Sequence, residues 1–250
     1  MIRPESLPPL RALLVAASAA LVAACGPDAA PAAQRPSVDA AAPAASEVPG
    51  VLAVEPGRDG APARVVLHGV DLTGVGYDVG DPAAPVVMVE FSDFGCPYCA
   101  QHAREAFPAL EREFIAVGKV FYKHVPFVMG MFPNGDRAAR AAECAGEQGR
   151  FWPMHDSVYA HQRDWKRGGD PDRVLTTLAG QVVPDAARWA GCYAVDRPSA
   201  RAQAANAGAQ RLGVRATPSF FIDGQLVEGA LPLAVMRQGL HALLAERRSQ

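Results

Sequence analysis

Apolar and polar positions divide the chain into three regimes. Arg3 and Arg11 precede an apolar run from Ala12 to Ala24, and from 26 to about 62 the residues are mostly Ala, Pro, Gly and small polar types with no apolar periodicity. That second stretch reads as a disordered or extended linker. Strand patterning begins at Arg64–His68, followed by a turn-rich segment from Gly69 to Gly76 and another turn at Gly80-Asp81-Pro82. The run Val86-Val87-Met88-Val89-Glu90-Phe91 predicts a buried strand. A helix is predicted from Pro97 towards Gly118, with Pro108 set to kink or break it. Lys119–Val125 reads as the next strand, ended by Pro126.

Between Pro133 and about Leu212 no strand signal occurs. The segments Arg137–Gln148 and Phe151–Gln162 read as helices, Gly149 closing the first and Pro153 fitting the first turn of the second. Three more are predicted to start at Asp170-Pro171, Pro184-Asp185 and Arg197-Pro198-Ser199. Strand signals return at Ser219–Ile222, Asp223-Gly224 forms a two-residue hairpin turn, and Gln225–Glu228 is the return strand. An amphipathic helix over Leu231–Glu246 ends the pattern. The order is that of an α/β protein whose strands are interrupted by a helical block.

The N-terminal run is shorter than a comfortable membrane span and has the form of a signal peptide. Leu21-Val22-Ala23-Ala24 before Cys25 resembles the lipobox of bacterial lipoproteins, in which that cysteine is lipidated and becomes the mature N-terminus. The alternative is ordinary cleavage near Ala20 or Ala24 with Cys25 incidental. Export places the remaining cysteines in an oxidising compartment, where disulfides persist. Of five cysteines, setting Cys25 aside leaves Cys96 with Cys99, and Cys144 with Cys192 as a second pair. Two buried free thiols are the other reading of the latter. The balance of 24 Lys and Arg against 26 Asp and Glu, with no basic stripe, argues against a nucleic-acid partner.

The chemistry is concentrated in Cys96-Pro97-Tyr98-Cys99, where a strand hands over to a helix. Unpaired N–H groups and the helix dipole favour a thiolate at Cys96, and Pro97 sits where a missing N–H costs nothing. Half of a zinc site is the competing reading, but zinc wants a second close ligand pair. Cys25, Cys144 and Cys192 are isolated, and His68, His102, His124, His155, His161 and His241 show no ligand spacing. Each histidine reads as an ordinary surface or satisfied core residue. Glu90 is either a buried acid or a strand-end acid reaching solvent. Alternation puts Lys123 on the opposite face from Tyr122 and His124, and it is assigned no role. Phe127, Val128, Met129, Met131 and Phe132 form an apolar cluster, read as a seam between the helical block and the rest, with a substrate groove as the alternative.

Gly80–Cys99, through Glu90-Phe91-Ser92-Asp93-Phe94-Gly95-Cys96-Pro97-Tyr98-Cys99, resembles the active-site segment of DsbA-like thioredoxin-fold disulfide oxidoreductases. Gly213–Gly224, through Ala216-Thr217-Pro218-Ser219, resembles their cis-proline segment. Phe151-Trp152-Pro153-Met154-His155-Asp156 is similar to part of their inserted helical domain. The resemblance covers about residues 78 to 245. It implies a thioredoxin-like fold with an inserted all-helical domain, with thioredoxin-like parts at 63–132 and 213–250 and the insertion at 133–212; the N-terminal pattern and composition place before it a signal peptide over 1–24 and a lipidated Cys25 with linker over 25–62.

The same resemblance implies catalysis by Cys96 as exchanging thiolate and Cys99 as resolving thiol. Pro97, Tyr98, Glu90, Thr217 and Pro218 support them, Glu90 by helping proton transfer to the deeper cysteine. No cofactor beyond the redox-active disulfide and no metal is expected. Expected partners are reduced or misoxidised secreted proteins and a membrane redox partner for recycling. The protein would be a monomer, lipid-anchored to the cell envelope with its folded domain outside the cytoplasm. A thiol oxidase is the leading function. The alternatives are a reductase or isomerase, a soft-metal binding or delivery module using Cys96 and Cys99, and a binding module with an idle dithiol.

Overall fold

A computed structural model describes residues 51–57, 61–196 and 198–249. The signal-peptide run 1–24, Cys25 and the lipobox lie outside the described residues. The central element is β5 (Val86–Ser92), buried along its whole length because it is flanked on both edges and covered on both faces. It runs parallel to β6 (Val120–Pro126) and antiparallel to β7 (Ser219–Ile222). With β4 (Tyr77–Val79) outside β6 and β8 (Gln225–Glu228) outside β7, the sheet order is β4-β6-β5-β7-β8. Asp223 and Gly224 both take positive φ in the β7–β8 turn, as the two-residue hairpin requires.

A second, three-stranded antiparallel sheet joins β1 (Leu52–Glu55), β2 (Arg64–Leu67) and β3 (Val70–Asp71). Strand β1 corrects the reading of 25–62 as linker throughout. Its Leu52-Ala53-Val54-Glu55 is too short a patterned run to stand out after an Ala/Pro-rich stretch, yet it pairs residue for residue with Arg64–Leu67.

Side-chain alternation along β5 splits the sheet core. Val87, Val89 and Phe91 face a layer made by Val65, Leu67, Val70 and Leu72, together with Ala205 and Ala209 of α7 (Ala200–Arg211). Val86 and Met88 face α1 (97–115) and α8 (Leu233–Arg248), with Phe107, Leu110, Phe114, Met236 and Leu240 closing the core. Helix α1 is a continuous helical run in which α-turns at Pro97–Gln101 and Phe107–Leu110 alternate with π-turns at His102–Ala106 and Glu111–Ile115. The first π-turn ends two residues before Pro108. Widening the helix there accommodates the ring and the missing N–H, so the helix continues where the sequence predicted a kink or break.

The helical block comprises α2 (Gly135–Gly146), α3 (Phe151–Ala160), α4 (Gln162–Arg167), α5 (Pro171–Val182) and α6 (Ala186–Tyr193). Asp170 and Asp185 cap α5 and α6 by accepting from the backbone N–H of Arg173 and Arg188. Its core of Phe151, Met154, Tyr159, Trp165, Leu175 and Trp189 is continuous with Phe94, Cys96 and Cys99. Helix α7, which the sequence assigned to this block, packs instead on the far face of the sheet through its alanines. Of the seam cluster, Phe127 and Met129 pack on the sheet side, Val128 and Phe132 on the helical side, and Met131 is 65% exposed.

Candidate active site

Cys96 is the N-cap of α1, with extended φ/ψ of −75° and 126°, so it stands at the helix mouth without belonging to the helix. The Asp93–Gly95 turn delivers it there. The Asp93 carbonyl accepts from Cys96 N at 2.9 Å, and the Asp93 carboxylate accepts from Gly95 N at 2.8 Å and Met129 N at 3.3 Å. A side chain at Gly95 would run into Phe132, 2.4 Å from where its Cβ would lie. Two residues of α4 hold the turn from outside. Gln162 Nε2 donates to the carbonyls of Phe94 (2.6 Å) and Cys96 (2.8 Å), and Lys166 Nζ donates to that of Gly95. Neither α4 residue was singled out in the sequence, because their partners are backbone atoms some seventy positions away.

Cys96 and Cys99 are present as free thiols, both buried. Pro97 and Tyr98 face outward, Tyr98 with 62% of its surface exposed. The Thr217–Pro218 peptide bond is cis, as the resemblance implied, and the Cys96 thiol donates to the Thr217 carbonyl at 3.2 Å. The two thiols are electrostatically unequal. Hydrogen bonding from the Cys99 thiol is the main cause that brings the Cys96 pKa down to about 6, against the opposing effect of burial. The backbone N–H groups of Cys99 and Tyr98 and the Thr217 hydroxyl, buried without another partner, add to it. Cys99 goes the other way. Burial, then the neighbouring Cys96 and the charge of Glu90, push its thiol well above the ordinary value.

Glu90 proves to be the buried acid of the two readings, because it sits inside the central strand at 3% exposure rather than at its end. Its Oε2 accepts from Tyr122 OH at 2.6 Å and from His124 Nδ1 at 2.9 Å. Burial opposes its charge, but His124, His102 and Tyr122 together hold its carboxyl well below the usual range. His102 Nε2 lies 3.3 Å from Tyr122 OH. Ser92, on the same face of β5, hydrogen-bonds Tyr159 OH at 2.9 Å and borders Cys99.

The reading of every histidine as surface or satisfied core therefore needs correction. His102, His124 and His155 gather around Glu90, and His102 Nδ1 and His124 Nε2 are buried without a partner. The β5–β6 register, which sets His124 directly beside Glu90, was the signal that spacing within one segment could not supply. Lys123 lies on the opposite face as expected, buried, donating to the Val75 carbonyl at 2.9 Å and paired with Asp78 at 2.6 Å.

Cys144 and Cys192 are bonded, joining α2 to α6 at a Cα separation of 5.8 Å. Among the described residues no three His, Cys, Asp or Glu side chains converge as a metal ion requires, which leaves Cys96 and Cys99 as a two-sulfur donor set. Nor, among those residues, is any helix long and apolar enough to cross a membrane.

A family model described as Thioredoxin matches residues 73–242. Among curated relatives, the Na(+)/H(+) antiporter NhaA 1 of Salinispora arenicola is 33% identical over 169 residues, 68% of this chain. The chain spans only about a quarter of the length of the first relatives it matches (25% for that protein). A probable disulfide bond formation protein D of Bacillus anthracis is 28% identical over 152 residues, covering 59% of this chain and 70% of that protein. In fold the chain is similar to alpha-DsbA1 of Wolbachia pipientis, with a TM-score of 0.59 and 23% identity over 69% of this chain and 92% of that one.

Proposed function

The chain belongs to the thioredoxin family, with the DsbA-like architecture of a helical block inserted into the thioredoxin fold, and we propose that it is a thiol–disulfide oxidoreductase of the cell envelope acting chiefly as a thiol oxidase. The observation that carries this reading is the inequality of the two thiols: Cys96 at the helix mouth with its pKa brought down to about 6, Cys99 behind it with its thiol pushed up.

In the oxidising direction a substrate thiolate attacks Cys96 Sγ of the Cys96–Cys99 disulfide. The S–S bond breaks, its electron pair leaves on Cys99, and Cys99 takes up a proton. A second substrate thiolate then attacks the substrate sulfur of the mixed disulfide, and Cys96 departs as a thiolate. Two electrons now reside on the enzyme dithiol, and a membrane redox partner removes them. A stabilised Cys96 thiolate is a good leaving group and favours the reduced enzyme, which makes the disulfide form an oxidant. Residues 215–217 border the site, and their backbone offers an edge to an extended substrate segment.

Secreted proteins as substrates and the lipid anchor at Cys25 rest on the N-terminal sequence pattern. A reductase or isomerase would use the same thiols with the opposite preference. The function is tested by following oxidation of a reduced unfolded protein by the purified chain and by its Cys96→Ser variant. Turnover by the former and none by the latter is expected. Equal rates would refute the reading and favour a binding module with an idle dithiol.

A further inference from the structure

Cys99 must lose or gain a proton each time the active-site disulfide forms or breaks, and it does so from a fully buried position. The face of β5 that carries Glu90 is closed by α1 and α8 and, at its Ser92 end, by α3. Among the described residues two polar branches leave that carboxylate: one through Tyr122 ends at buried His102, and the other leads outward. Glu90 Oε2 bonds His124 Nδ1 at 2.9 Å, leaving His124 Nε2 unpartnered and buried. The His124 ring meets that of His155 edge to face, with centroids 4.8 Å apart. His155, buried at 2%, bonds through Nδ1 to Asp156 Oδ1 at 2.8 Å, and the Asp156 side chain is 65% exposed. The path from solvent to Cys99 has two open links, one between the two imidazoles and one between Glu90 and Cys99, which share no direct hydrogen bond; each needs a side-chain rotation or one bridging water.

We infer that His124 and His155 form a proton relay joining Glu90, and through it Cys99, to solvent at Asp156. The inference rests on the exchange reading above. When a substrate thiolate opens the Cys96–Cys99 bond, the electron pair goes to Cys99, and a proton enters through His155 and His124 to Glu90 and on to the Cys99 sulfur. When Cys99 instead closes on a mixed disulfide at Cys96, its thiol proton leaves by the same route, the new Cys96–Cys99 bond forms and the partner thiolate departs.

An imidazole suits this task because one nitrogen can accept a proton while the other releases one. Tyr122 and His102 contact the Glu90 end of the run, from β6 and α1. Tyr159 of α3 stacks edge-on to His155 at 4.9 Å. Cys99 and, beyond Tyr159, Asp93 complete the titratable groups facing the run. Of these side chains, Asp156 alone is substantially exposed, so it marks the outlet. Both relay histidines are positioning residues, since neither touches the reacting sulfurs.

The test follows reduced protein mixed with oxidised glutathione, resolving attack by Cys96 from the later closure by Cys99 through acid quench and mass analysis. In weak buffer at neutral pH, His155→Gln should slow closure about tenfold, less than the roughly 10²–10⁴-fold of a group in direct contact with the reacting atom, because His155 acts through others. Added imidazole buffer should restore much of that loss, and the first step should be unchanged. Asp156→Asn, at an exposed site that leaves packing intact, should slow closure by about threefold with the same rescue. Wild-type closure rates in both variants, or slow closure that imidazole does not relieve, would overturn the relay. Failure of the wild-type protein to form any mixed disulfide at Cys96 would overturn the exchange reading itself.

Discussion

Removing the Cys144–Cys192 bond is the perturbation whose size follows most directly from the structure. The bond closes a loop with a sequence separation of 48 residues between α2 and α6. In the chain-entropy account, opening a loop of that length costs about 4 kcal/mol at 25 °C through the freedom returned to the unfolded chain. Other contacts across the α2–α6 seam remain: Trp189 Nε1 donates to the Ala141 carbonyl at 3.0 Å, and Gln148 exchanges two hydrogen bonds with the Asp185 backbone. The double variant Cys144→Ala/Cys192→Ala should therefore still fold. For a folded unit of about 200 residues with ~2.1 cal/mol/K of unfolding entropy per residue, 4 kcal/mol corresponds to a fall in Tm of roughly 10 °C. Urea unfolding without reductant, in a background in which Cys96→Ser and Cys99→Ser remove the other thiols from both proteins, measures the difference without disulfide exchange. A loss below about 1 kcal/mol would refute the reasoning, because the loop would then be confined by its packing alone.

Thiolate absorbance of the reduced protein should titrate with a midpoint of about 6 for Cys96, and Cys99→Ala should raise that midpoint, since the Cys99 thiol is the main cause of the depression. An unmoved midpoint would transfer the effect to the backbone donors. Burial holds His102 and His155 below their ordinary value of 6.5, so the unfolded chain binds their protons first. Stability from these neutral imidazoles is complete above that value and is lost as pH falls below it, by up to ~1.4 kcal/mol per pH unit for each histidine. Urea midpoints between pH 7 and pH 5 should show the decline, and His155→Gln should lessen its slope. Gln162→Ala removes the donor to the Phe94 and Cys96 carbonyls and should cost about 1–3 kcal/mol. It should also raise hydrogen exchange at the Asp93–Cys96 turn, which a purely distant packing loss would leave protected.

The parts of the site legible in the sequence were those written into single segments. Cys96-Pro97-Tyr98-Cys99 follows a continuous apolar strand, and Asp223-Gly224 separates two short ones, so the helix mouth and the hairpin follow from local rules. Glu90 was visible as an acid in an apolar run, but its depth depended on β5 taking the centre of the sheet. The remainder depends on register and on packing between distant segments. Nothing near His124 announces that parallel pairing will set it beside Glu90, and His155 reaches the same place from a helix in the inserted block. Leu52–Glu55 is a strand because Arg64–Leu67 offers it an edge, and Ala200–Arg211 turns to the sheet because its small side chains let it approach closely. Pro108 broke a local rule without breaking the helix, since a π-turn absorbed it.

The central claim is that the Cys96–Cys99 pair, through a stabilised Cys96 thiolate, drives disulfides into other proteins. The reduction potential of that pair, measured by equilibration in glutathione and then dithiol buffers with Cys144–Cys192 intact, tests it most directly. A disulfide donor should give a value well above the roughly −270 mV of thioredoxin. A value at or below it would contradict the oxidase reading and make the protein a reductase.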